Sequence, residues 1–143
     1  MLEEADVAVP VPLHWRRRVA RGFNQAEDLA SHLGLPVCGP LRRGRATRAQ
    51  FGLQAAARQR NVRGAFRASL WVRLQQVVGP ALGAGRIRPP RRGGPTLEGK
   101  CVVLVDDLAT TGATLRECAV VLKRLGAREV RALTAARALS RQP

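Results

Sequence analysis

Apolar and polar positions along the chain form two legible blocks, separated by stretches with little period. The first block opens with DVAVPVPL, residues 6–13. Its alternating apolar positions predict a short strand, followed by a loop fixed by Pro10 and Pro12. RGFNQAEDLASHLGLP comes next and has helical spacing: Phe23, Ala26, Leu29, Ala30 and Leu33 recur at i, i+3 and i+4. Asn24 can cap this helix with Glu27 three residues on, Gly34 and Pro36 end it, and its apolar side should pack on a sheet.

From Leu41 to Phe66 the sequence is polar, arginine-rich and weakly periodic, with a helix expected only over Leu53 to Arg60, between mobile flanks. The segment from Ser69 begins apolar and then decays into Gly, Pro and Arg; residues 79–95 predict no regular structure. Periodicity returns at Lys100. KCVVLVDD has the continuous apolar run of a strand covered on both faces. Thr110 or Thr111 can cap the helix that follows, whose Leu115, Cys118, Ala119, Leu122 and Leu125 form one apolar stripe. Gly126 stops that helix, and EVRALTA predicts another strand. Strand, helix and strand in this order define a crossover unit, so the expected class is α/β, a parallel sheet flanked by helices.

Composition refines this picture. A chain of 143 residues with 45% hydrophobic residues suits one domain, and no apolar run is long enough to span a bilayer, so no membrane insertion is expected. Cys38, Cys101 and Cys118 include no C-x-x-C pair; they read as reduced thiols in a cytoplasmic protein, Cys101 and Cys118 as small core residues. The formal charge of +15 invites a polyanionic partner. Lys100 and Lys123 are the only lysines, however, and a chain rich in Arg, Ala, Gly and Pro also fits GC-rich coding. Trp15 and Trp71, with three Phe and no Tyr, are too few for a base-stacking platform.

The chemistry concentrates in VVLVDDLATTGAT, residues 102–114. A glycine-containing turn between a parallel strand and a helix directs backbone N–H groups toward an anion at the positive end of the helix dipole. Thr110, Thr111 and Thr114 add hydroxyl donors. Asp106 and Asp107 cannot favourably touch that anion, but they can accept from the vicinal hydroxyls of a sugar that carries it, or hold Mg²⁺ through water. The pattern is a ribose 5-phosphate cradle. A Walker A loop is excluded because no lysine follows Gly112, and a dinucleotide fingerprint because Gly112 stands alone. The plainer alternative is a strand end followed by a capped helix.

The same residues resemble the phosphoribosyl-pyrophosphate (PRPP) motif of type I phosphoribosyltransferases: four apolar residues, two acids, three variable residues, then Thr-Gly-small-Thr. VPVPLHWRRRVARGFNQAEDLA, TRAQFGL and RQRNVRGAF are similar to the ComF/GntX branch, and the likeness covers residues 6–69 and 97–137. It implies that Asp106 and Asp107 bind the ribose hydroxyls, with Asp107 nearest the anomeric carbon. Ala109, Thr110, Thr111, Gly112, Ala113 and Thr114 would hold the 5-phosphate. Val11, Pro12, Leu13 and His14 would match the pyrophosphate-side loop, with Arg16, Arg18 and Arg21 as ligands, and Arg48, Gln50, Arg60 and Asn61 a mobile active-site loop. Read alone, His14, Arg60 and Asn61 are equally compatible with exposed positions, WRRRVAR with a solvated basic run, and Asn24 with a simple cap.

The implied ligands are PRPP and Mg²⁺, and the implied activity is phosphoribosyl transfer to an acceptor that no residue here identifies. The rival expectation is a non-catalytic accessory in DNA uptake that binds single-stranded DNA; DNA-uptake proteins and a second copy of the chain complete the expected partners. Many relatives carry a cysteine-rich zinc segment before the first core strand, whereas this chain starts almost at that strand and is expected to lack it. Residues 79–95 look like an insertion: a surface loop, a basic tether for nucleic acid, or a gene-model error.

Overall fold

In a computed structural model of the chain, residues 2–13, 23–44, 63–70 and 97–137 are described. Strands β1 (Val7–Pro10), β4 (Cys101–Ala109) and β5 (Glu129–Arg137) form a parallel sheet in the order β1-β4-β5. A second, antiparallel pair joins β2 (Leu41–Arg43) to β3 (Phe66–Ala68). Two helices are described, α1 (Gln25–Ser31) and α2 (Ala113–Arg124). The class is α/β with a parallel sheet flanked by helices, as the sequence predicts.

β4 is the central strand, and Cys101 through Val105 are buried on both faces. On one face Val102 and Leu104 pack with Val7 and Val9, with Cys118, Leu122 and Leu125 on the α2 side, and with Leu41 and Phe66 of the β2–β3 pair. On the other, Val103 and Val105 pack with Ala8 and with Ala30 of α1, lined by Leu29, Leu33, Leu35 and Leu133. Two covered faces explain why KCVVLV is continuously apolar rather than alternating. β1 obeys the same rule, buried at all its positions. Pro10 belongs to this strand rather than to the loop after it. Val11 N–H donates toward β4, so the pleat turns the proline nitrogen to the opposite side, where no β4 rung is lost. At the other end of the sheet Asp6 accepts from Cys101 N–H (2.8 Å) and Lys100 Nζ (3.2 Å), and these two contacts hold its carboxyl below the usual range.

Several expectations change. Phe23 is 58% exposed and contributes nothing to the apolar side of α1, which buries Ala26 and Ala30. β2 and β3 fall where no strand is expected, β4 runs past its aspartates to Ala109, and β5 continues to Arg137. All three cysteines are buried free thiols. The helix expected over Leu53 to Arg60, the insertion at 79–95, and Trp15 and Trp71 lie outside the described residues. Among the described residues no helix is long and apolar enough to cross a membrane.

Gly126, between α2 and β5, has φ +93, and an added Cβ would meet the Glu98 side chain and come within 3.1 Å of Glu98 Cα. Gly34 after α1 has φ +69 with nothing within 4 Å. Alanine at either site pays about 1–2 kcal/mol of left-handed strain, but only at Gly126 must a neighbour also move. Gly126→Ala is therefore expected to lower the Tm more than Gly34→Ala in parallel thermal melts; equal losses would contradict the packing described.

Candidate functional site at the carboxyl ends of β1 and β4

β1 and β4 are adjacent and parallel, but the chain leaves them in opposite directions. After β1 it runs through α1 to a bridge between Val37 and the outer edge of β1 at Ala8. After β4 it runs through α2 to β5, on the far side of β4. The two helices also cover opposite faces. Open α/β sheets take ligands at such a divergence, outside the carboxyl ends of the strands.

The divergence is visible in the hydrogen bonds. Val11 N–H donates to Val105 O at 2.8 Å, the last rung of the β1–β4 ladder. The next rung would join Asp107 N–H to Val11 O, but both groups turn elsewhere. Asn24 Nδ2 donates to Val11 O at 3.2 Å, and Asp106 Oδ1 accepts from Asp107 N–H at 3.0 Å. Leu108 N–H in turn donates to Asp107 Oδ1 at 2.8 Å. The strands part there, leaving two half-buried carboxylates at the mouth.

Asn24 is both cap and tie. Its Oδ1 accepts from Ala26 N–H at 3.2 Å, its amide fixes the end of β1, and it is the buried polar residue of the described core. The sequence offers Asn24 as a simple cap; that it also closes off β1 depends on a contact between residues 13 apart in sequence.

Burial, then a hydrogen bond and the negative charge of Asp107, push the Asp106 carboxyl up to about 7, against the opposing charge of Arg43. Burial also raises the Cys118 thiol, followed by the charge of Asp106. A chain with two carboxylates so placed suits a cation or hydroxyl donors at the mouth. The turn beyond them supplies donors of the other kind. α2 begins at Ala113, and its N-cap is Gly112 at φ +71, not Thr110 or Thr111 as the sequence suggests. A glycine there brings no capping side chain to the first N–H groups of the helix, which lack intrahelical partners in any α-helix. Open space faces Gly112 where a Cβ would stand. Thr111 Oγ1 is buried, with no hydrogen-bond partner among the described residues. A buried hydroxyl in that state is costly unless a ligand meets it.

The structure thus brings Asp106, Asp107, Ala109, Thr110, Thr111, Gly112, Ala113 and Thr114 to one sheet end, beside Val11, Pro12 and Leu13, which follow β1 there. His14, Arg16, Arg18 and Arg21 lie outside the described residues, as do Arg48, Gln50, Arg60 and Asn61. The β2–β3 pair, absent from the sequence reading, sets the limbs flanking residues 45–62 side by side: Gly44 N–H donates to Ala65 O at 2.9 Å.

The donor set fits a sugar phosphate with Mg²⁺. Among the described residues no group of three or more His, Cys, Asp or Glu could hold a metal alone. Two carboxylates suffice for Mg²⁺ only when water and substrate phosphates complete its shell, which is its usual mode.

The model of the phosphoribosyl transferase domain matches residues 20–143. Competence protein F of Haemophilus influenzae is 34% identical over 142 residues, 96% of this chain and 52% of that protein. The DNA utilization protein YhgH of Escherichia coli K12 is 34% identical over 134 residues, 90% of this chain and 48% of that protein. The chain thus spans about half the length of the curated relatives it matches. Among solved structures, a phosphoribosylpyrophosphate synthetase from Mycobacterium smegmatis aligns over 97% of this chain and 30% of its own, at TM-score 0.48 and 20% identity. This chain belongs to the phosphoribosyl transferase domain family, and it is similar to curated proteins named for competence and DNA utilization.

An acid raised in the folded state stabilises the fold while it is protonated. That contribution is whole below its ordinary value of 3.8 and lost as pH rises through about 7. Asp106→Asn keeps the shape without the charge, so it is expected to raise stability by about 1–3 kcal/mol near pH 8 and by much less near pH 4. Thermal melts of both proteins across that range check this; a gain independent of pH would contradict the electrostatic description.

Proposed function

We propose that this chain binds PRPP at the parting of β1 and β4 and acts as a phosphoribosyltransferase-like protein. The observation that carries the reading is the meeting, at one strand end, of two half-buried carboxylates with a Gly112 turn and a buried Thr111 hydroxyl that has no hydrogen-bond partner among the described residues. Asp106 and Asp107 accept from the ribose hydroxyls, while the turn from Ala109 to Thr114 donates to the 5-phosphate. Val11, Pro12 and Leu13 would face the pyrophosphate, and the resemblance assigns the same ligand to His14, Arg16, Arg18 and Arg21, which follow in sequence. Asp106 and Asp107 would hold Mg²⁺, which supplies positive charge to the departing pyrophosphate. As bonding to pyrophosphate weakens, positive charge grows at the anomeric carbon, and the two carboxylates stabilise it. Phosphoribosyl transfer to a nucleophile, or hydrolysis or exchange of PRPP, follows from this arrangement.

A second reading is favoured by a different observation, the charge of +15 in a chain whose relatives are named for competence and DNA utilization. In it the protein is an accessory of DNA uptake that binds single-stranded DNA through arginine.

Thermal unfolding with and without Mg²⁺-PRPP tests the first reading. A ligand at a hundred times its Kd adds about 2.7 kcal/mol to stability. The wild type is expected to gain several degrees in Tm, and the Asp106→Asn, Asp107→Asn double variant none; protection that survives the double change would sink the site assignment. Single-strand affinity should fall with salt at a slope of about 0.7 per phosphate contacted if the second reading holds, and a flat response would remove it.

A further inference from the structure

The charge of the chain is unevenly placed. No Asp or Glu stands between Asp28 and Glu98, while thirteen arginines do. GC-rich coding turns lysine into arginine at constant charge, so it accounts for the kind of base in this segment but not for the missing acids. Several bases elsewhere have local reasons: Lys100 pairs with Asp6, Arg131 pairs with Glu4 and Glu129, and Lys123 and Arg124 stand in the last turn of α2, at the negative end of its dipole.

Within the acid-free segment lies the β2–β3 ribbon. Leu41 and Phe66 are buried in the core and Ala68 packs against it, so one face of the ribbon points inward. The pleat turns Arg42 and Arg67 to the other face, where both are exposed. They stand directly opposite one another in the ladder. Like charges so placed repel and weaken the pairing of the strands, and a ribbon of three residues per strand has little stability to lose. Among the described residues neither arginine has a hydrogen bond or ion pair that would offset the repulsion. Glu117 of α2 reaches the ribbon, but its Oε2 accepts from Gly64 N–H at 2.8 Å. Arg63, exposed shortly before β3, adds a further positive charge.

A polyanion laid across the pair would relieve the repulsion that the fold leaves standing. Phe66 faces inward, so the outer face offers charge without a base-stacking ring, and such a face meets phosphates rather than bases. We infer that the outer face of the β2–β3 ribbon, through Arg42 and Arg67, is a contact surface for the phosphate backbone of single-stranded DNA. The inference rests on the second reading above for its ligand and is independent of the PRPP reading.

The test uses the full chain as wild type, an Arg42→Thr, Arg67→Thr double variant, and an Arg124→Gln, Arg128→Gln double variant that removes the same charge from exposed positions outside the ribbon. Binding of a labelled oligothymidylate is followed by fluorescence anisotropy over a range of salt. Each arginine that meets a phosphate contributes about 0.7 to the slope of log affinity against log salt, so the ribbon variant is expected to bind more weakly at low salt with a slope about 1.4 smaller, and the control to keep the wild-type slope. Ligand-free melts separate folding from contact: with the repulsion removed, the ribbon variant should melt no lower than wild type. A lower Tm would contradict the uncompensated pair from which the surface is inferred. A wild-type slope in the ribbon variant would overturn the surface and leave the DNA reading in place. Equal losses in the two variants would reduce binding to net charge and overturn the surface as well. A wild type that binds no single strand at low salt would discard the DNA reading and the surface together.

Discussion

The bond from Val11 N–H to Val105 O, 2.8 Å long, is the last rung between β1 and β4, and the candidate site exists because the ladder stops there. One more rung would draw Val11 and Asp107 together and close the mouth of the sheet. Asn24 prevents it from one side by taking Val11 O, and Asp106 from the other by taking Asp107 N–H. With its backbone so occupied, the end of β4 can carry side chains into the gap between strands whose helices have gone to opposite faces.

That opening has an electrostatic consequence. Below Val105 the strand is wholly apolar and buried; above it stand two carboxylates, and burial, then the hydrogen bond and charge of Asp107, raise Asp106 toward neutrality. The turn that follows carries N–H groups of opposite polarity to the carboxylates. Leu108 alone separates these acceptors from the turn that runs from Ala109 to Thr114.

Much of this is legible in the sequence because β4, α2 and β5 are local. A buried parallel strand, an amphipathic stripe and a glycine stop each leave a local trace, and VVLVDDLATTGAT marks the strand end and the turn into the helix through residue types alone. What escapes is long-range or too short to have a period. β2 and β3 are three residues each and are stabilised by pairing across more than 20 intervening positions, so nothing local marks them. Arg43 looks like one arginine among many until the pairing of β2 with β3 sets its guanidinium over the Phe66 ring. Phe23 fits the helical period, yet it stands before the cap and points into solvent. The cap itself falls on Gly112 rather than a threonine because the turn needs a left-handed residue, leaving Thr111 for another partner.

The central claim is that carboxylates and turn form one cradle for one ligand. Amide chemical shifts of the ¹⁵N-labelled protein, followed while Mg²⁺-PRPP is added, test it most directly. The account predicts that the largest changes fall on Asp107 and on Thr111 through Thr114, moving together along a single binding curve. Changes confined to the arginine-rich segments, with those amides unmoved, would contradict it.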